Sequence, residues 1–101
     1  MIDTAKKIFS RVYQSYLMGG DMYTYYYKAN NENELHNILE ALKELEESGL
    51  IDIIHLGNKK ARMCITSEGI TYGSNNYWYI IAITKSEWLD SQHSQGLCYL
   101  T

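Results

Sequence analysis

Residues 31–51 read Asn-Glu-Asn-Glu-Leu-His-Asn-Ile-Leu-Glu-Ala-Leu-Lys-Glu-Leu-Glu-Glu-Ser-Gly-Leu-Ile, and the fold turns on them. Asn31 stands where a helix N-cap belongs, with Glu34 three positions later. In that arrangement the cap accepts from the first turn and the glutamate reaches back. Leu35, Ile38, Leu39, Leu42 and Leu45 then recur at steps of three and four, one apolar stripe of a helix. Gly49 sits where a terminating glycine belongs. Leu50 to Leu56 reads as an isoleucine-rich strand, Gly57-Asn58-Lys59-Lys60 as a turn, and Ala61 to Thr66 as a returning strand with Met63 and Ile65 on one face. Strands so closely linked predict a hairpin.

Upstream, Ile2, Ala5, Ile8, Phe9, Val12, Tyr13, Tyr16 and Leu17 trace a second amphipathic helix, with Lys6, Lys7, Ser10, Arg11 and Gln14 on its other face. Gly19-Gly20 supplies its stop. The stretch Met22 to Ala29 has the aromatic alternation of a strand, but Asn30-Asn31 after it suits a helix-turn-helix corner, and a short helix is the expectation. Burying one leucine stabilises by about 1.5–3 kcal/mol, so the stripe at 35–45 can organise a three-helix core. The hairpin then covers its open edge with Ile51 and Ile53 or their alternates. Downstream, Thr66-Ser67-Glu68-Gly69 starts a helical turn carrying Ile70 and Tyr72 and ending near Gly73. Tyr77 to Leu89 reads either as one helix or as a strand followed by a helix capped at Thr84. A polar loop at 91–96 and a short tail complete the chain.

The 101 residues amount to one domain, 46% hydrophobic and 21% charged, which excludes a disordered tail. The longest apolar run, Tyr77 to Ile83, is far short of the roughly 20 residues of a membrane span. No secretory leader pattern is visible, and a cytoplasmic protein is expected. Cys64 and Cys98 form no closely spaced pair, which argues against structural zinc and a disulfide scaffold. His36, His55 and His93 are scattered, and no phosphate-cradling glycine loop appears. Neither an enzyme nor a metal or cofactor is expected. A net charge of −3 allows nucleic-acid binding only if the cations gather on one face.

The order helix, short element, helix, hairpin resembles a winged helix-turn-helix. Ala-Leu-Lys-Glu-Leu-Glu-Glu-Ser-Gly-Leu-Ile at 41–51 looks like the end of the recognition helix of small bacterial winged-helix regulators. Cys-Ile-Thr-Ser-Glu-Gly-Ile-Thr-Tyr at 64–72 is similar to their second wing strand running into the next helix. The likeness covers about residues 3–73, and a looser one to small YjcQ-like proteins extends through Trp78. It implies an α+β, mostly helical fold: a winged-helix domain at 1–73, with a three-helix core and a two-stranded wing, then a C-terminal extension at 74–101 for dimerisation or packing on the same core.

The resemblance further implies a homodimeric DNA-binding transcriptional regulator of bacterial or phage type. Its third helix would enter the major groove, and its wing would touch the backbone. On this chain Asn33, His36 and Asn37 then face the groove, while Asn58, Lys59, Lys60 and Arg62, extended by Lys28, meet phosphate. Asparagine can read adenine, yet segment 32–47 carries six glutamates against Lys43 alone, which equally suits a solvated helix face. The basic wing equally suits a charged edge that blocks aggregation. Tyr23, Tyr25, Tyr26 and Tyr27 cannot all point inwards from one helix. Core plus partner contact is preferred over base stacking, because only Lys28 lies beside them. Tyr77, Trp78, Ile80, Ile81 and Trp88 are expected at a dimer interface, with folding back over the first helix as the alternative. The rival function is a protein–protein module, with the acidic helix and the tyrosines as its surface and no DNA binding, the acidic helix serving as a nucleic-acid mimic in a partner's basic groove.

Overall fold

A computed structural model describes residues 1–77 together with Ile80 and Ala82. Its elements are α1 (Asp3–Leu17), β1 (Tyr23–Tyr26), α2 (Glu32–Glu47), β2 (Ile51–Leu56), β3 (Lys60–Ile65) and α3 (Ser67–Asn75). The architecture is α+β and mostly helical, with a three-stranded antiparallel sheet ordered β1-β3-β2. Trp78, Ile81 and Trp88, and the loop and tail beyond, fall outside the described residues; of the stretch 77–89 only Tyr77, Ile80 and Ala82 are described, and all three are helical.

Both long helices stop through the same backbone device. Gly49 takes φ +78° and Gly19 φ +92°. The N–H of Gly49 donates to the carbonyl of Glu46 and that of Leu50 to Leu45, while Gly19 and Gly20 pair likewise with Tyr16 and Ser15. This is the Schellman pattern, which a left-handed glycine permits. At the start of α2, Asn31 Oδ1 accepts from the Glu34 N–H at 2.9 Å. The Glu34 carboxylate reaches back to the N–H of Asn30, one residue earlier than a capping box pairs.

Leu42 and Leu45 are fully buried with Ala41, while Leu35 and Ile38 are half-buried. Leu39 is 37% exposed. At 100° per residue it sits on the flank of the stripe rather than in it. Along α1, Ala5, Ile8, Phe9, Val12 and Tyr13 are buried, but Ile2, Tyr16 and Leu17 are exposed. Ser10, expected on the polar face, is fully buried, and its hydroxyl donates to the carbonyl of Ile80 at 3.3 Å. Ile80 itself, expected at a chain–chain contact, is 2% exposed within this chain's own core. Burial, and then the phenols of Tyr77 and Tyr16, raise the pKa of the Tyr13 hydroxyl above the ordinary tyrosine value.

Residues 23–26 form a strand, not the expected helix. Tyr23, Thr24, Tyr25 and Tyr26 pair with Met63, Arg62, Ala61 and Lys60. The ladder satisfies the backbone groups that β1 and β3 turn toward each other, and aromatic and β-branched side chains suit a pleated surface. The wing is consequently part of a three-stranded sheet. No second helix precedes α2 at a tight turn: residues 27–31 are non-helical. The third helix of the core is instead α3. It is capped by Thr66, whose hydroxyl accepts from the Gly69 N–H at 2.9 Å.

Helix α3 continues past Gly73 to Asn75. That glycine serves close packing rather than a stop, since a Cβ there would lie 2.2 Å from the Tyr13 ring. Helices and sheet share one core, in which Ile8 and Phe9 meet Leu42, Leu45, Ile51 and Met63. One face of the sheet therefore faces the helices, and the other faces solvent.

Candidate nucleic-acid interface

Strand β3 sits at the centre of the sheet, and its residues alternate between the two faces. Ala61 and Met63 are buried inwards, so Lys60 and Arg62 project outwards, and both are exposed. Registration carries their neighbours to the same face. Tyr26 lies directly opposite Lys60, and Arg62 is flanked by Thr24 on β1 and His55 on β2. Opposite residues in an antiparallel ladder have Cβ atoms about 4.5–5.5 Å apart. An irregularity between Ile53 and His55 lets His55 pair with Arg62. Asp52, opposite Cys64, is the carboxylate of this face.

The wing tip is held by Tyr27. Its N–H donates to the Lys59 carbonyl at 2.9 Å, its phenol donates to the carbonyl of Gly57, and its ring is 7% exposed. The Gly57 N–H closes the turn on the Lys60 carbonyl. The backbone of Lys59 and Lys60 is thus fixed from within while their side chains stand in solvent. Lys28, two residues past the end of β1, is exposed, as is Asn58. Among the described residues, Lys28, Lys59, Lys60 and Arg62 make no ion pair. Cations left without carboxylate partners retain their full attraction for an external anion.

The three residues expected in the groove sit elsewhere, on α2. Asn33 and His36 are exposed, and the His36 Nε2 lies 4.0 Å from Glu40. Asn37 is engaged: its side-chain amide donates to the Thr4 hydroxyl at 2.8 Å, fastening α2 to the first turn of α1. Beside it runs a groove lined by Ile2, Asn37, Glu40, Lys43, Glu44 and Glu47. Glu44 there accepts the N–H of Ile2 at 2.9 Å. Three carboxylates against two ammoniums, Lys43 and the Met1 terminus 3.8 Å from Glu44, leave the groove net negative, which disfavours phosphate.

Of the residues expected to touch DNA, the fold therefore gathers Asn58, Lys59, Lys60 and Arg62 at the wing with Lys28 next to β1, and leaves Asn33, His36 and Asn37 on the helix. Sequence reasoning weighed the four tyrosines together and did not single out Tyr26. Tyr23 and Tyr25 pack against the core and Tyr27 is buried, whereas Tyr26 is 71% exposed. The alternation within 23–26 was the available signal. Among the described residues no cluster of His, Cys, Asp and Glu is placed to hold a metal ion, and no helix is long and apolar enough to cross a membrane. No family model, curated protein or solved structure matches this chain.

Proposed function

We propose that this chain is a DNA-binding regulator of winged-helix-like layout that grips the phosphate backbone with its wing. The carrying observation is the set of cations Lys59, Lys60 and Arg62, which make no ion pair among the described residues, on a hairpin pinned by backbone bonds and Tyr27, with Lys28 exposed two residues past β1. Phosphate contact of this kind positions a protein on duplex without reading sequence. The acidic face of α2 argues for a backbone-led grip rather than groove reading by that helix. A mobility-shift assay with random-sequence duplex at about 50 mM salt tests this, since charge-driven binding is strongest there. Retardation that fades steeply with added salt is expected.

One observation favours a second reading. The groove lined by Glu40, Glu44 and Glu47 suits a basic protein surface. Absence of any retardation in the same assay would move the function to that protein–protein module. We further propose that the chain is a homodimer. Tyr16 and Tyr77, 37% and 46% exposed, flank the ring of Tyr13 at centroid distances of 6.1 and 6.4 Å, an aromatic patch suited to a second copy. Sedimentation equilibrium should return twice the chain mass, and the mass of a single chain would remove the dimer.

A further inference from the structure

We propose that the outer face of the sheet binds single-stranded nucleic acid, one base stacking on Tyr26 while Lys60 and Arg62 hold the flanking phosphates. The inference rests on the reading that the wing's cations meet phosphate, and it adds a ligand class to that site. Surfaces that bind single strands combine a positive track with aromatic rings that accept any base face. In the sequence, Tyr26 has only Lys28 beside it. In the sheet, register places it directly across from Lys60 and diagonal to Arg62, with Thr24 and His55 completing the row.

Two features set this ring apart from the neighbouring tyrosines. It is 71% exposed, whereas Tyr23 and Tyr25 pack on the core and Tyr27 is buried at the turn. It also sits on backbone held by a four-pair ladder, so a stacking base orders little that is not already ordered. A duplex presents its phosphates to this face but keeps its base faces stacked on one another. A peptide of acidic residues alone can use the cations but places nothing on the ring. An unpaired strand engages both.

The test is fluorescence anisotropy of the full chain with a labelled oligothymidylate of about 12 nucleotides, a length within the range one such surface covers. A duplex of equal length and a polyglutamate peptide serve as competitors. Tyr26→Ala should weaken oligothymidylate binding about 5- to 150-fold, the loss of one stacked base. Duplex affinity should be unchanged, and Tyr26→Phe should restore single-strand binding. Lys60→Ala should weaken both nucleic acids. An exposed ring can be truncated without unfolding the chain, and unchanged thermal melts will establish that. Equal single-strand affinity in wild type and Tyr26→Ala, with Lys60→Ala still weakening both ligands, overturns this inference and leaves the phosphate grip standing. Binding of neither nucleic acid overturns both. Displacement by polyglutamate as effective as by unlabelled oligothymidylate assigns the face to acidic peptides and also overturns it.

Discussion

Gly69→Ala is expected to destabilise the protein by about 3 kcal/mol or more, a large share of the 5–15 kcal/mol that holds a domain of this size together. Gly69 lies in the first turn of α3, where an added Cβ would stand 2.2 Å from the carbonyl oxygen of Leu50 and 2.7 Å from Cγ1 of Ile65. The first of these is backbone, so no rotamer change relieves it. That same carbonyl accepts the N–H of Thr66 at 3.1 Å, and the Thr66 hydroxyl donates to the carbonyl of Gly49. Moving α3 to make room breaks this lacing at the point where α2 turns into β2. It also lifts Tyr72 from Phe9, whose rings meet edge to face at 5.4 Å, and Gly73 from the ring of Tyr13.

A domain of this size loses roughly 4–8 °C of melting temperature per kcal/mol, so a fall of about 12–25 °C is expected by circular dichroism. Gly19→Ala is the control. Nothing lies within 4 Å of its added Cβ, but φ is +92°, so the cost should be near 1 kcal/mol, from backbone strain alone. If Gly69→Ala melted no lower than Gly19→Ala, the seating of α3 on the Leu50 carbonyl would be wrong.

The functional prediction of comparable weight concerns Lys59→Ala combined with Lys60→Ala. Each lysine that neutralises one phosphate contributes about −0.9 to the slope of log affinity against log salt. The double variant should therefore flatten that slope by about 1.8 and weaken binding by the same factor on every duplex sequence. Fold should be retained, because both side chains are exposed and the turn is held by backbone groups and by Tyr27. Asn33→Ala with His36→Ala should change neither the slope nor the sequence preference. If the double lysine variant bound like wild type while the α2 pair altered preference, the grip would belong to α2.

The parts of this fold that were readable in the sequence are those whose causes are local. The Asn31 cap, the stripe through Leu45 and the terminating Gly49 all lie within one helix and its flanks, and the hairpin at 51–65 closes through its own short turn. Strand β1 was only half readable: the aromatic alternation favoured a strand, but what decides its state is β3, dozens of residues away, which offers four ladder positions. Ser10 was placed on the wrong face for a similar reason: the carbonyl it serves belongs to Ile80, 70 positions later. Gly73 looked like a stop when it is the gap into which Tyr13 fits.

The candidate site divides along the same line. Lys59, Lys60 and Arg62 cluster in the sequence itself, so their meeting is assured. That Tyr26 stands across from Lys60, or that Asn37 is spent on Thr4, depends on long-range register and helix packing that no local pattern encodes.

Backbone amide shifts recorded by nuclear magnetic resonance during titration with random-sequence duplex at low salt test the central claim most directly. The account predicts that the largest changes fall on Lys28 and on residues 58–62, with the exposed face of α2 at Asn33, His36, Glu40 and Glu47 unmoved. Changes concentrated on that helix face, with the wing silent, would contradict it.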